Sequence, residues 1–282
     1  MPNPPRLTQP RKWRSLAIAS ASVTLAVAAA PSLAGLNGPA PITLAMPGRS
    51  ADARLWPAGS QGGEGGESGL VATVTNPESA YLAELMIVEG HMIAALDLYS
   101  KGQTDLAVEL ASRPESGGMM ATVRKAVAAH AAPDFTAATT AFTKALTDGA
   151  SVDDARVALS AVHAGVGAAA AGQKSDLKTR LNAVVVLLKA ASDEYLGAFD
   201  AGKVVDVLAY HEAHAFVAIA RSEAAILIGE PLTAKAASRA LDAMQAADQA
   251  FSDMTKTTVE ARDPAILAAV AARVELIASA VR

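Results

Sequence analysis

The placement of proline constrains this chain more than any other feature of its sequence. Nine of the fourteen prolines lie at or before Pro57, and the other five (Pro77, Pro114, Pro133, Pro231 and Pro264) each stand where a helix can begin. Proline lacks an amide hydrogen and has a fixed φ, so a helix accepts it in the first turn and resists it in the interior. Nine of the twenty glycines also precede residue 70. Residues 35–75 therefore read as a flexible, disordered linker, because such text buries too little apolar surface to offset the entropy of ordering. The folding unit is expected at 76–282.

From Asn76 onward the text is rich in Ala, Leu and Val at helical spacing. Asn76-Pro77-Glu78 supplies an N-cap, a first-turn proline and an acid near the positive helix end. Leu82, Leu85, Met86, Val88, Met92, Ile93, Leu96 and Tyr99 then recur along one broad face up to Gly102. Further starts are predicted at Thr104-Asp105, Pro114-Glu115, Pro133-Asp134, Ser151, Ser175-Asp176, Pro231 and Asp263-Pro264. Stops are predicted near Gly102, Gly149, Gly172, Gly202 and Gly229. No five-residue alternation marks a strand, and Val184-Val185-Val186 sits inside alanine-rich text whose propensity is helical. The expectation is an all-α antiparallel bundle of seven to eight helices, with a long central helix from Ser175 to Asp200. Ala95–Ala107 has the look of one tetratricopeptide unit, but no second copy follows at the required period, so it reads as a lone helical hairpin.

The first 34 residues have the build of a secretory signal peptide. Arg6, Arg11, Lys12 and Arg14 precede an apolar run from about Leu16 to Ala30, and Ser32-Leu33-Ala34 offers a cut before Gly35. That run is short for a helix that stays in a bilayer. The remaining chain is expected in the periplasm or secreted, and an uncleaved anchor would leave it on the same side.

Removing 1–34 lowers Lys+Arg from 24 to 20 and leaves Asp+Glu at 28, a net charge of −8. Such acidity argues against nucleic acid and, once the signal is cleaved, against a membrane surface, since both need neutralising Lys and Arg. Two Trp, four Tyr and five Phe leave little for stacking under bases. With no cysteine there is no disulfide, thiol nucleophile, iron–sulfur cluster or thiolate metal site. His211-Glu212-Ala213-His214 is one residue too short for the zinc-protease helix, and no G-x-S-x-G elbow or Walker loop occurs. No constellation supports an enzyme.

Of the five histidines, His91 shares a helical face with Ile87, Val88, Ala94, Ala95 and Leu98, which turns it inward. His211 and His214 lie three apart, neighbours on one helix side. A buried imidazole needs a partner, and Glu89, Glu194, Tyr195, Tyr210 and Glu212 are the candidates. One reading gathers His91, His211, His214, Glu194 and Glu212 around a transition metal (Fe, Cu or Zn) between helices. The other makes each a satisfied core or rim histidine. His130 and His163 fall near helix ends and read as surface residues.

Two segments carry a resemblance. The first holds Glu89-Gly90-His91, Leu98-Tyr99, Gly102, Asp105, Ala107 and Pro114. The second holds Glu194-Tyr195, Gly202-Lys203-Val204-Val205, Tyr210 and Phe216-Val217. Together they resemble an uncharacterised family of exported all-helical bacterial proteins and, more loosely, the imelysin-like periplasmic proteins that accompany iron uptake. The chain departs from that pattern at Leu110 and Arg113, where histidines are usual, and at Ala209-Tyr210-His211-Glu212, where E-Y-Q-D is usual. What the resemblance implies is fold and compartment. The functional expectation is an exported helical binding protein for a metal or small ligand. The alternative is a scaffold contacting an envelope protein, and a homo-oligomer is compatible with either.

Overall fold

The computed structural model describes residues 70–71, 73–173, 175–230, 232–252, 254 and 262–281. The expected signal peptide, most of the expected linker and Pro231 lie outside these residues. Leu70 and Val71 fall within the stretch expected to be linker, yet Val71 is buried in the core. Thr73 and Val74 donate their amides to the carbonyls of Leu70 and Val71, so packed structure begins before Asn76.

Nine α-helices occur among the described residues: α1 (Pro77–Ser100), α2 (Thr104–Ser116), α3 (Met119–Ala129), α4 (Thr136–Thr147), α5 (Val152–Ala171), α6 (Leu177–Gly197), α7 (Val207–Ile228), α8 (Ala234–Met244) and α9 (Ala265–Ser279). Local chemistry sets most of the starts. The Asn76 side chain accepts from the amides of Glu78 and Ser79, Ser151 from Asp154, and Asp176 from Thr179. Asp263 accepts from Ala265.

Two starts differ from expectation. Pro114 lies in the last turn of α2 rather than opening a helix, because a proline that late removes only one helical hydrogen bond. The break falls instead at Gly117-Gly118, where Gly118 has φ +85°. A start was also missed at Asp206, whose carboxylate accepts from the Ala209 amide and caps α7. Counting it raises the total to nine. The helix from residue 175 ends at Gly197, and a two-residue antiparallel pair, β1 (Phe199–Asp200) with β2 (Lys203–Val204), turns the chain into α7. Ala201 and Gly202, both at positive φ, make that turn.

The centre of the bundle is α1 rather than the expected α6. It packs against α2, α5, α6 and α7 and also touches α3 and α4. α6 and α7 lie side by side, with α9 on α6 and α8 on α7. Among the described residues α1 alone is long and apolar enough to cross a bilayer, but its window is mostly buried in protein, as a central helix requires. The hairpin read from Ala95–Ala107 forms as expected. Gly102 takes φ +77°, and the amides of Lys101 and Gln103 both return to the Leu98 carbonyl.

Small residues let α1 approach its neighbours closely. Gly90 faces Phe216 of α7, and a Cβ at that position would lie 2.4 Å from two atoms of the ring. The glycine is there so that a buried aromatic can lie flat on the helix backbone.

Candidate functional site

Three helices meet at a buried polar cluster. His91 on α1 and Glu212 on α7 are each 1% exposed. The His91 Nδ1 lies 2.9 Å from the Ile87 carbonyl, which can only accept, so Nδ1 carries the hydrogen. Its Nε2 stands 3.1 Å from Glu212 Oε1. Among the described residues that oxygen has no hydrogen bond of good geometry. The other oxygen, Oε2, accepts from Arg113 Nη1 of α2 at 3.3 Å. The His91 ring also lies tilted against Phe216, with centroids 5.9 Å apart.

His211 is the immediate neighbour of Glu212 but reaches a different partner. Its Nδ1 lies 2.8 Å from Asp97 Oδ2, and Lys101, one turn along α1, bonds the same oxygen. Burial raises the Asp97 carboxyl, but hydrogen bonds from His211 and Lys101 outweigh it and hold the group below its ordinary value. A carboxyl depressed in the folded state stabilises fully above its unfolded pKa, about 3.9, and loses that contribution as pH falls through the folded value. Urea unfolding of wild type and Asp97→Asn is therefore expected to give a stability gap that narrows from about pH 5 to about pH 3. A constant gap across that range would show the ion pair to be energetically idle.

His214 turns outward. Its ring meets Phe251 edge-on at 5.0 Å, beside an aromatic group of Tyr195, Phe199, Tyr210 and Phe251. Desolvation by the surrounding helices pushes its imidazole below the ordinary value, and Asp97 opposes this. Solvent at the exposed edge also works against the shift. Glu194 is buried on α6, next to Tyr195, whose hydroxyl donates to the Ala250 carbonyl at 2.6 Å. Of the five residues expected to gather around a metal, His91 meets Glu212, His211 meets Asp97, His214 meets Phe251, and Glu194 is buried on α6. Among the described residues no group of three or more His, Asp or Glu side chains could hold a metal ion. His91 and Glu212 of that set come together, and Arg113 joins them.

The histidines expected at the surface are partly engaged. His163 is 41% exposed and pairs with Glu89, while His130 stacks on Tyr81 with centroids 4.1 Å apart.

A second feature went unread in the sequence. A cavity of about 530 Å³ lies between α2, α3 and α4. Met92, Ala111, Pro114, Met120 and Thr139 form its buried floor. Above them stand Ser112 and Thr143, and around the rim Glu115, Thr140, Lys144, Thr147 and Asp148. The Thr143 hydroxyl lies 3.1 Å from both the Ala111 carbonyl of α2 and the Thr139 carbonyl of its own helix, so its one proton can tie α4 to α2. The only sequence signal was the threonine spacing on α4, where 139, 143 and 147 recur every fourth residue.

Fold and sites together define, among the described residues, an all-helical protein with a buried ionic cluster and a hydroxyl-lined groove. Set against known protein families, curated proteins and solved structures, the chain finds no match.

Proposed function

We propose that this chain is an exported helical binding protein whose ligand is a small amphiphile seated in the groove between α2 and α4. The observation that carries the reading is the groove itself, with its volume of about 530 Å³, methionine floor and hydroxyl walls. Ligand sites are concave, mostly apolar and of this size, with a few polar groups that fix orientation. Met92 and Met120 suit such a floor because their unbranched, polarisable side chains adapt to the shape of an apolar guest. The walls are rigid helices joined by the Thr143 bond, so little ordering cost falls on binding. Export rests on the basic start and apolar run of residues 1–34 and on the cysteine-free, acidic remainder. On this reading the His91–Glu212–Arg113 cluster holds three helices together instead of a metal.

The test labels the methionine methyls with ¹³C and titrates the protein with n-octanol. Met92 and Met120 are expected to shift in a saturable way, while Met244, fully buried elsewhere, stays in place. Silence at both floor methyls, or equal movement of all of them, would overturn the reading.

A further inference from the structure

We infer that the groove selects a ligand whose polar head is a cationic amine; this rests on the binding-protein reading and names its ligand class. Five of the six hydroxyls that line the groove have already committed their protons to backbone carbonyls, and only Thr140 has not. Ser112 donates to the Val108 carbonyl at 2.7 Å, Ser116 to Ser112 at 3.0 Å and Thr139 to Thr136 at 2.9 Å. Thr143 donates to Ala111, and Thr147 to Thr143 at 2.9 Å. A hydroxyl carries one donor and two acceptor lone pairs, so once its proton is spent it can only accept. The walls of the groove therefore present oxygen lone pairs to whatever enters.

An incoming N–H finds acceptors already in place, whereas a carboxylate or carbonyl finds side-chain donors only at Thr140 and Lys144. Charge is close to balanced and leaves the choice to the hydroxyls. The lining holds two carboxylates, Glu115 and Asp148, against one ammonium, Lys144, which pairs with Asp148. Glu115 is met from outside the groove by Arg124 at 2.9 Å. An ammonium head can take the hydroxyl oxygens at the rim while its hydrocarbon body lies on Met92, Ala111, Pro114 and Met120. An anionic head finds side-chain donors only at Thr140 and Lys144, and Lys144 already pairs with Asp148.

The experiment compares n-octylammonium, n-octanol and n-octanoate by calorimetry with the full chain at one pH and ionic strength, followed by Lys144→Ala. The ammonium is expected to bind about tenfold or more tighter than the carboxylate, with the alcohol between them. Lys144→Ala, at an exposed position, is expected to widen that ratio by removing the one competing cation. If octanol shifts the floor methyls but octanoate binds as tightly as octylammonium, the amine preference is wrong and the groove stands as a binding site. A ratio that narrows in Lys144→Ala also overturns the preference. If none of the three probes binds, both readings fall.

Discussion

Replacing Glu212 with alanine is expected to destabilise the fold by about 3–5 kcal/mol, because it removes the buried carboxylate that the Arg113 guanidinium and His91 meet between packed helices. The cost comes from what is left behind. His91 is fully enclosed, while Arg113 is partly buried and keeps the exposed Glu109 as a second partner. Glu212→Gln keeps an oxygen for Arg113 and removes the charge, so its cost should lie between alanine and wild type. A triple variant, His91→Leu, Arg113→Leu and Glu212→Met, replaces the cluster with apolar side chains and is expected to recover most of the loss. Urea unfolding of the four proteins checks the series. A cost below about 1 kcal/mol for Glu212→Ala would mean that the carboxylate is solvated rather than locked between helices.

Phe216→Ala is expected to cost about 3–5 kcal/mol, as the loss of a large, fully buried ring usually does. Its partner Gly90 makes a sharper test. Alanine is the better helix former by about 1 kcal/mol, so Gly90→Ala would stabilise an isolated helix. Here the added methyl runs into the Phe216 ring, and the forced shift in a packed core is expected to leave a net loss of about 1–3 kcal/mol. With the ring gone the obstacle goes too. In a Phe216→Ala background, Gly90→Ala should be neutral or stabilising, a coupling that a double-mutant cycle reads directly. Equal costs in the two backgrounds would contradict the close approach of α1 to α7.

What the sequence made legible was local. Asn76, Ser151 and Asp176 announce helix starts because a cap bonds amides two or three residues away. Pro114 was misread because the same residue fits a first turn and tolerates a last one, and only the Gly117-Gly118 break separates the two cases. The start at Asp206 carried its signal, an acid ahead of an apolar helix, but no proline or glycine stood beside it to draw the eye.

The sites were legible only in part, for a different reason. The inward turn of His91 follows from its helical face. Its engagement with Glu212 and Arg113 depends on α1, α2 and α7 meeting, and Arg113 lies 99 residues from Glu212 along the chain. His211 and His214 share a helix side in sequence, yet the rotation of α7 about its own axis puts one against Asp97 and the other in solvent. The groove is harder still to foresee. Its volume is the gap left where α2, α3 and α4 meet over α1, a quantity that no single residue's type announces.

The most direct measurement of the central claim is a crystal structure of the protein grown with n-octylammonium. The expected result places the hydrocarbon chain between Met92 and Met120, with the nitrogen among the oxygens of Thr140, Thr143 and Thr147. A chain bound at another surface, or lying in the groove with its nitrogen turned away from those hydroxyls, would contradict it.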